Sequence, residues 1–250
     1  MPKYKVEFIE TKKCNLTGYT LIDGFPGMGL VGTIAAKYLI EKLDFKEIGY
    51  IMSDAFAPIV RIHNGLPINP ARIYYNQKFK IVLMMTEQVI PQEMARNLAG
   101  RAIEFVRTKK IKRVISLAGI NNPNNQIKED IVFGIAANEK SKASLKKANI
   151  ELIKEGISTG ATAIMLLGLS EENIECYSLL GNAKIQADYR AAAQVVTKLN
   201  EIMSLNINVK PLLEEAKETE KVLMKQLDEM KKTQEVMDSN QPNEVKGMYS

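Results

Sequence analysis

Apolar residues in this chain follow two rhythms. Some form short runs of strand length, and others return every three or four positions along longer stretches. Residues 3–9 alternate around Tyr4, Val6 and Phe8, which predicts an opening strand near a sheet edge. Tyr19-Thr20-Leu21-Ile22 is a β-prone run, and from Thr33 to Leu43 the residues Ile34, Tyr38 and Leu39 keep helical spacing. Ile48 to Met52 reads as the following strand. Residues 55–71, punctuated by Pro58, Pro67 and Pro70, read as mostly loop with a short extended piece. Ile73-Tyr74-Tyr75 and Lys80 to Met85 predict an antiparallel hairpin across Asn76-Gln77-Lys78. Its second arm is apolar on both faces, as a central strand requires.

Gln92 to Lys109 places Leu98, Ala102, Phe105 and Val106 on one helical face. The basic run Lys109-Lys110-Ile111-Lys112-Arg113 sits at that helix's C-terminal end, where the dipole favours positive charge. Arg113 to Ile120 reads as a buried strand, Ile131 to Ala136 as another, and Ser141 to Ala148 as a short amphipathic helix. An apolar helical run follows from Ala163 to Leu169, then a last strand from Ile174 to Gly181. Asp188 suits the first turn of a helix running to about Met203. Strand and helix alternate from residue 19 to 150 without an internal repeat, the pattern of an α/β sheet.

With 250 residues the chain can bury a substantial core, in one large α/β domain or two small ones. No apolar run reaches membrane-spanning length, and Met1-Pro2-Lys3-Tyr4-Lys5 carries no signal-peptide core. Cys14 and Cys176, far apart in sequence, fit idle thiols in a reducing cytosol, so a cytoplasmic protein is expected. One histidine, His63, makes a zinc centre or a catalytic triad hard to assemble, and it reads as a loop or surface residue. No metal or cofactor is expected. The net charge of +5 is uneven: residues 201–250 hold 7 Lys against 10 acidic residues, and residues 1–200 hold 27 basic against 19 acidic. A basic body suits an acidic protein surface, whereas a nucleic-acid partner would call for interleaved aromatics and arginines that are absent.

The chemistry to weigh begins at Asp23-Gly24-Phe25-Pro26-Gly27-Met28-Gly29-Leu30-Val31-Gly32, between the first β-prone run and its helix. Residues 27–32 spell G-x-G-x-x-G, and Asp54 lies about twenty residues on, as in a dinucleotide-binding unit. The glycines Gly24, Gly27, Gly29 and Gly32 serve either a phosphate cradle or a close-packed strand-to-helix turn. Gly24-Phe25-Pro26 lengthen the connection beyond the usual fingerprint. Glu87 follows a strand end, where open α/β sheets favour ligands, and reads either as a site residue or as a cap for the next helix. Gly156-Ile157-Ser158-Thr159-Gly160-Ala161-Thr162 opens a helix that could bind an anion or pack tightly against the glycine turn. With Asp54 and Asp188, Glu87 supplies the carboxylates for a nucleoside, nucleotide or dinucleotide reading, an enzyme or a binding protein.

The stretch Gly24 to Gly32 resembles the signature of the proteasome assembly chaperone 2 family. The Gly156-Ile157-Ser158-Thr159-Gly160 loop and Ala187-Asp188-Tyr189-Arg190-Ala191-Ala192 look like further landmarks, together covering most of residues 16–200. The resemblance implies a three-layer α/β sandwich with a largely parallel central sheet, similar to nucleoside phosphorylases, occupying residues 1–205. It also implies an assembly factor without catalysis, and a homo-oligomer of four or five subunits.

After Pro211 the texture changes. Leu212 to Met237 lacks glycine and proline, with Ala216, Leu223, Met230 and Met237 recurring every seven residues. A C-terminal helix across 206–237 is expected, packed on its own body or on a neighbour. Residues 238–250 form a polar tail ending Met248-Tyr249-Ser250. Hydrophobic residue, tyrosine, terminal residue resembles the docking motif of proteasome activators and archaeal assembly-chaperone homologues. It implies that Met248, Tyr249 and Ser250 enter clefts between α-subunits of the 20S proteasome.

Overall fold

The apolar runs fold as the strands of one large sheet. In the computed structural model, residues 4–121, 131–184 and 187–214 are described. In chain order the strands are β1 (Val6–Glu10), β2 (Thr20–Gly24), β3 (Lys46–Ser53), β4 (Arg61–His63), β5 (Leu66–Ile68) and β6 (Ala71–Asn76). They continue with β7 (Ile81–Thr86), β8 (Arg113–Ile120), β9 (Val132–Ala136), β10 (Glu151–Leu152) and β11 (Glu175–Asn182). The helices are α1 (Val31–Lys42), α2 (Gln92–Thr108), α3 (Glu139–Lys147), α4 (Gly160–Gly168) and α5 (Tyr189–Met203).

Nine strands join in the order β1-β3-β6-β7-β2-β8-β11-β9-β10. The centre, β7-β2-β8-β11, is parallel; β2, β7 and β11 are almost wholly buried and β8 is buried along its middle. The flanks run antiparallel: β1 on β3, β3 on β6, β6 on β7, and β9 on β11. The sheet is therefore mixed around a parallel core, with the 73–85 hairpin supplying the turn from one arrangement to the other. Edge strand β1 is buried only at Val6, half-buried through Ile9 and exposed at Glu10.

Two apolar cores lie on opposite faces. One gathers Ile34, Tyr38 and Leu39 of α1, Leu145 of α3, and Val195, Val196 and Leu199 of α5. The other gathers Met94, Leu98 and Val106 of α2 with Ala161 and Met165 of α4. Helix, sheet, helix gives the three layers. Leu205, Ile207 and Leu212, past the end of α5, are buried in the first core, and the Tyr38 hydroxyl donates to the Asn208 carbonyl at 2.5 Å. The helix expected across 212–237, beyond residue 214, and the tail 238–250 lie outside the described residues.

Three local details depart from the sequence expectations. Residues 55–71 contain a small separate hairpin, β4 on β5, outside the main sheet. Strand β10, two residues long, extends the sheet beyond β9. Helix α4 rests chiefly on α2, on the face opposite α1, and meets the root of the glycine turn through the Thr162 hydroxyl, 3.3 Å from Asp23. Among the described residues no helix is long and apolar enough to cross a membrane.

Candidate functional site

The parallel strands end together, and the glycine turn, Glu87 and Asp188 lie along or just beyond that edge, whereas Asp54 does not; Met248, Tyr249 and Ser250 lie outside the described residues. At the end of β2 the backbone turns through Phe25, Pro26 and Gly27 into a short 3-10 turn, Met28–Leu30, and then into α1. Gly29 and Leu30 both have left-handed backbones, φ 62° and 50°. The glycines fall into three kinds. A Cβ on Gly32 would stand 2.2 Å from the Leu117 carbonyl oxygen, and one on Gly24 would stand 2.4 Å from the Ala36 Cβ. Gly29 is needed for its positive φ. Gly27 has neither constraint: its backbone is extended and a Cβ there would meet nothing within 4 Å.

Strand β8 carries a complementary glycine. A Cβ on Gly119 would come within 2.1 Å of the Met28 carbonyl oxygen. The turn is thus pressed onto the backbone of β8, with Gly32 and Gly119 removing the side chains that would hold it off, while Gly24 lets α1 approach β2. The Leu117 carbonyl fills the space beside Gly32, so that glycine serves the packing of α1 on the sheet. The close-packed reading of the turn accounts for these positions.

Beneath the turn lies a carboxylate that sequence patterning did not single out. Asp23 is fully buried, accepting from the Ser116 hydroxyl at 2.5 Å and from Thr162 at 3.3 Å. Burial pushes its carboxyl up to about 7, against the two hydroxyl hydrogen bonds that pull it down. Cys176, also buried, is driven up to about 12 by burial and by the charge of Asp23. A charged residue closing the all-buried run Leu21-Ile22-Asp23 was the available signal.

On the β7 side, Glu87 does not cap α2, whose N-cap Pro91 receives no side-chain bond. Instead it is held by three cations: Lys37 of α1 at 2.5 Å, Arg72 of β6 at 2.9 Å, and Arg61 of β4. Burial alone would raise its carboxyl, but the Lys37 hydrogen bond and the three positive charges outweigh it and hold Glu87 below the usual range. These partners come from three elements scattered along the sequence, so no local spacing announces them.

On the β11 side, Asp188 is the N-cap of α5, accepting from Ala191 N and Lys184 N at 2.9 Å each. Its own backbone N–H donates to the Gly29 carbonyl at 2.8 Å. Its role is to seal α5 against the glycine turn. Asp54 is elsewhere: it is exposed, it accepts from Lys5 N at 3.0 Å, and it follows β3. Strands β6 and β7 stand between β3 and β2. A dinucleotide site would need that carboxylate on the strand beside β2, so Asp54 and the glycine turn do not form one.

Two surface depressions, of about 500 and 440 Å³, lie at the opposite edge of the sheet. One is lined by residues of the β6–β7 turn such as Asn76 and Phe79, the other by Arg113, Glu175 and Tyr177 at the starts of β8 and β11. Among the described residues there is no group of three His, Cys, Asp or Glu placed to hold a metal. Cys14 and Cys176 are free thiols, and His63 is an exposed hairpin residue.

Comparison with known proteins places this arrangement. The model of the PAC2 family matches residues 21–227. The uncharacterized protein MJ0106 of Methanocaldococcus jannaschii is 31% identical over 219 residues, covering 87% of this chain and 89% of that protein. Pyrococcus furiosus PbaA, described as an archaeal homolog of proteasome-assembly chaperone, superimposes with a TM-score of 0.78 at 30% identity, over 94% of this chain and 96% of PbaA. Pyrococcus furiosus PbaB, described as an archaeal proteasome activator, gives 0.73 at 25% identity over 90% and 99% of the two chains.

Proposed function

The chain belongs to the PAC2 family, and on that premise we propose that it is a proteasome assembly chaperone or activator of archaeal type, working in the cytoplasm without catalysis. Its α/β body self-associates into a tetramer or pentamer. Each copy then offers a C-terminal Met248-Tyr249-Ser250 end to the α-ring of the 20S proteasome. The observation that carries the reading is the joint likeness to PbaA and PbaB, over nine-tenths or more of this chain, in a sequence that ends in that tripeptide.

The chemistry is that of terminal capture. A carboxylate is held by a lysine and backbone donors, while the tyrosine ring and Met248 fill an apolar cleft. One tail binds weakly, because ordering it opposes binding. Several tails on one assembly raise the effective concentration of the next and so the avidity. The nucleotide-binding alternative drew on the glycine turn and Asp54. With Gly24 and Gly32 occupied in packing, and Asp54 separated from β2 by two strands, no specific observation favours it.

Deleting residues 248–250 tests the proposal. The shortened protein is expected to keep its assembly state and to lose co-migration with 20S particles or α-rings. Undiminished co-migration would remove the tail from the account.

A further inference from the structure

The Glu87 cluster carries more positive charge than its one carboxylate can match. Lys37, Arg61 and Arg72 converge on it, so three cations meet one anion and two positive charges are left over. The charges that act on Glu87 are those of the same three residues. The bonds are unevenly shared: Lys37 and Arg61 both meet Oε1, while Arg72 takes Oε2. One shared oxygen sets the Lys37 ammonium and the Arg61 guanidinium side by side, where like charges repel.

Depth sorts the cluster into two tiers. The side chains of Arg72 and Glu87 are 9% and 13% exposed, and those of Lys37 and Arg61 are 43% and 35% exposed. The lower tier is an ion pair with the Tyr74 ring 5.5 Å from the Arg72 guanidinium carbon. The upper tier meets water with donors to spare, since an ammonium and a guanidinium each hold several N–H groups and Glu87 takes only one from each. Fastening the hairpin to the sheet needs Arg61, Glu87 and Arg72. Lys37 adds a third cation, from α1, directly beside Arg61.

We propose that Lys37 and Arg61 are the exposed half of an oxyanion site that takes a doubly charged phosphate, as the inorganic ion or a monoester. Glu87 and Arg72 form its floor and hold the two donors together. A dianion matches the surplus charge, and oxygens on one tetrahedral centre reach both neighbouring donors through charge-assisted hydrogen bonds. A monocarboxylate leaves one positive charge unmatched. The bound phosphate ties α1 to the β4–β5 hairpin from above, as Glu87 does from below. The inference makes no use of the C-terminal tail and stands or falls separately from its docking.

The test is calorimetric titration of full-length protein with inorganic phosphate, phosphoserine and acetate, at an ionic strength held constant with chloride. Wild type is expected to bind inorganic phosphate saturably, with a Kd on the order of 1 mM. Lys37→Gln and, separately, Arg61→Gln are expected to weaken binding about tenfold or more, and acetate to bind wild type about tenfold more weakly than phosphate. Lys12→Gln, at an exposed lysine past β1, is the control and should match wild type. Phosphoserine binding as phosphate does assigns the free ion, and tighter binding assigns a monoester; both leave the inference standing.

Glu87→Gln supplies a readout that a purely structural cluster would not give. With the resident carboxylate gone, phosphate should bind more tightly than to wild type and should slow hydrogen exchange across residues 61–68. Should that variant fail to fold, wild type and the Lys37 and Arg61 variants decide the matter alone. Absence of saturation by phosphate in the tens of millimolar would overturn the inference, as would undiminished binding by both variants. Equal loss in Lys12→Gln would also overturn it, reducing the effect to general attraction by a basic protein, and so would acetate binding as well as phosphate.

Discussion

Gly32 and Gly119 each face a carbonyl oxygen, where a methyl group would intrude to 2.2 and 2.1 Å. Alanine at either position forces backbone apart, and a loss of about 1–3 kcal/mol is expected, as for other overpacked sites. Gly27→Ala is expected to leave thermal stability within about 0.5 kcal/mol, since its extended backbone and open surroundings admit a methyl. Equal effects at Gly27 and Gly32 in thermal unfolding would contradict this division of the glycines. Asp23 makes a second residue-scale prediction. Its carboxyl is raised from 3.8 to about 7 in the fold, so the folded state holds the proton more tightly than the unfolded chain. The stability it supports is complete below the unfolded value and is lost as pH rises through about 7. Relative to wild type, Asp23→Asn should become progressively more stable across that window, as read by melting at a series of pH values. A constant difference between the two would refute the burial of an ionisable group there. The G-x-G-x-x-G spelling was plain in the sequence, but its meaning was not. Leu117 and Gly119, which decide it, lie some ninety residues away on β8 and carry no pattern that points back to the turn.

At the scale of elements, Glu87 is the pin between the β4–β5 hairpin and the sheet, holding Arg61 to Lys37 and Arg72. Glu87→Gln leaves three cations facing one another. The expected cost is about 2–3 kcal/mol, less than for a fully buried pair because Lys37 and Arg61 are partly solvated. Hydrogen exchange should quicken across residues 61–68 ahead of the sheet. Unaltered exchange there would mean the hairpin is held by something else. Strands β2, β7, β8 and β11 were legible in the sequence because burial leaves runs that are mostly apolar, broken only by single residues such as Asp23, Ser116 and Ser178. Helix α5 was legible from its periodicity and from Asp188, which does cap it. The hairpin and β10 were obscure for a physical reason: two- and three-residue strands are too short to show a period, and Pro67 within β5 reads as a breaker. Of the edge cluster, Glu87 could be suspected from its place after a strand. Its three partners could not, since only the folded topology gathers α1, β4 and β6 around it.

For the whole molecule, the parallel centre forms a rigid platform whose strand ends are closed over by the glycine turn, α5 and the Glu87 cluster. In the proposed function the body is the carrier and the chain terminus the contact. The fold class was readable from alternating strands and helices, and membership of the PAC2 family agrees with the landmarks at residues 24–32, 156–160 and 187–192. The role proposed for the tail rests on the chemistry of three residues and on how many copies present them together. The most direct measurement is a titration of purified 20S proteasome, and in parallel of isolated α-subunit, with full-length protein and with protein lacking residues 248–250. The account predicts saturable binding by the full-length assembly and loss of that binding on deletion, with the assembly's mass unchanged. Equal binding by both proteins would contradict it.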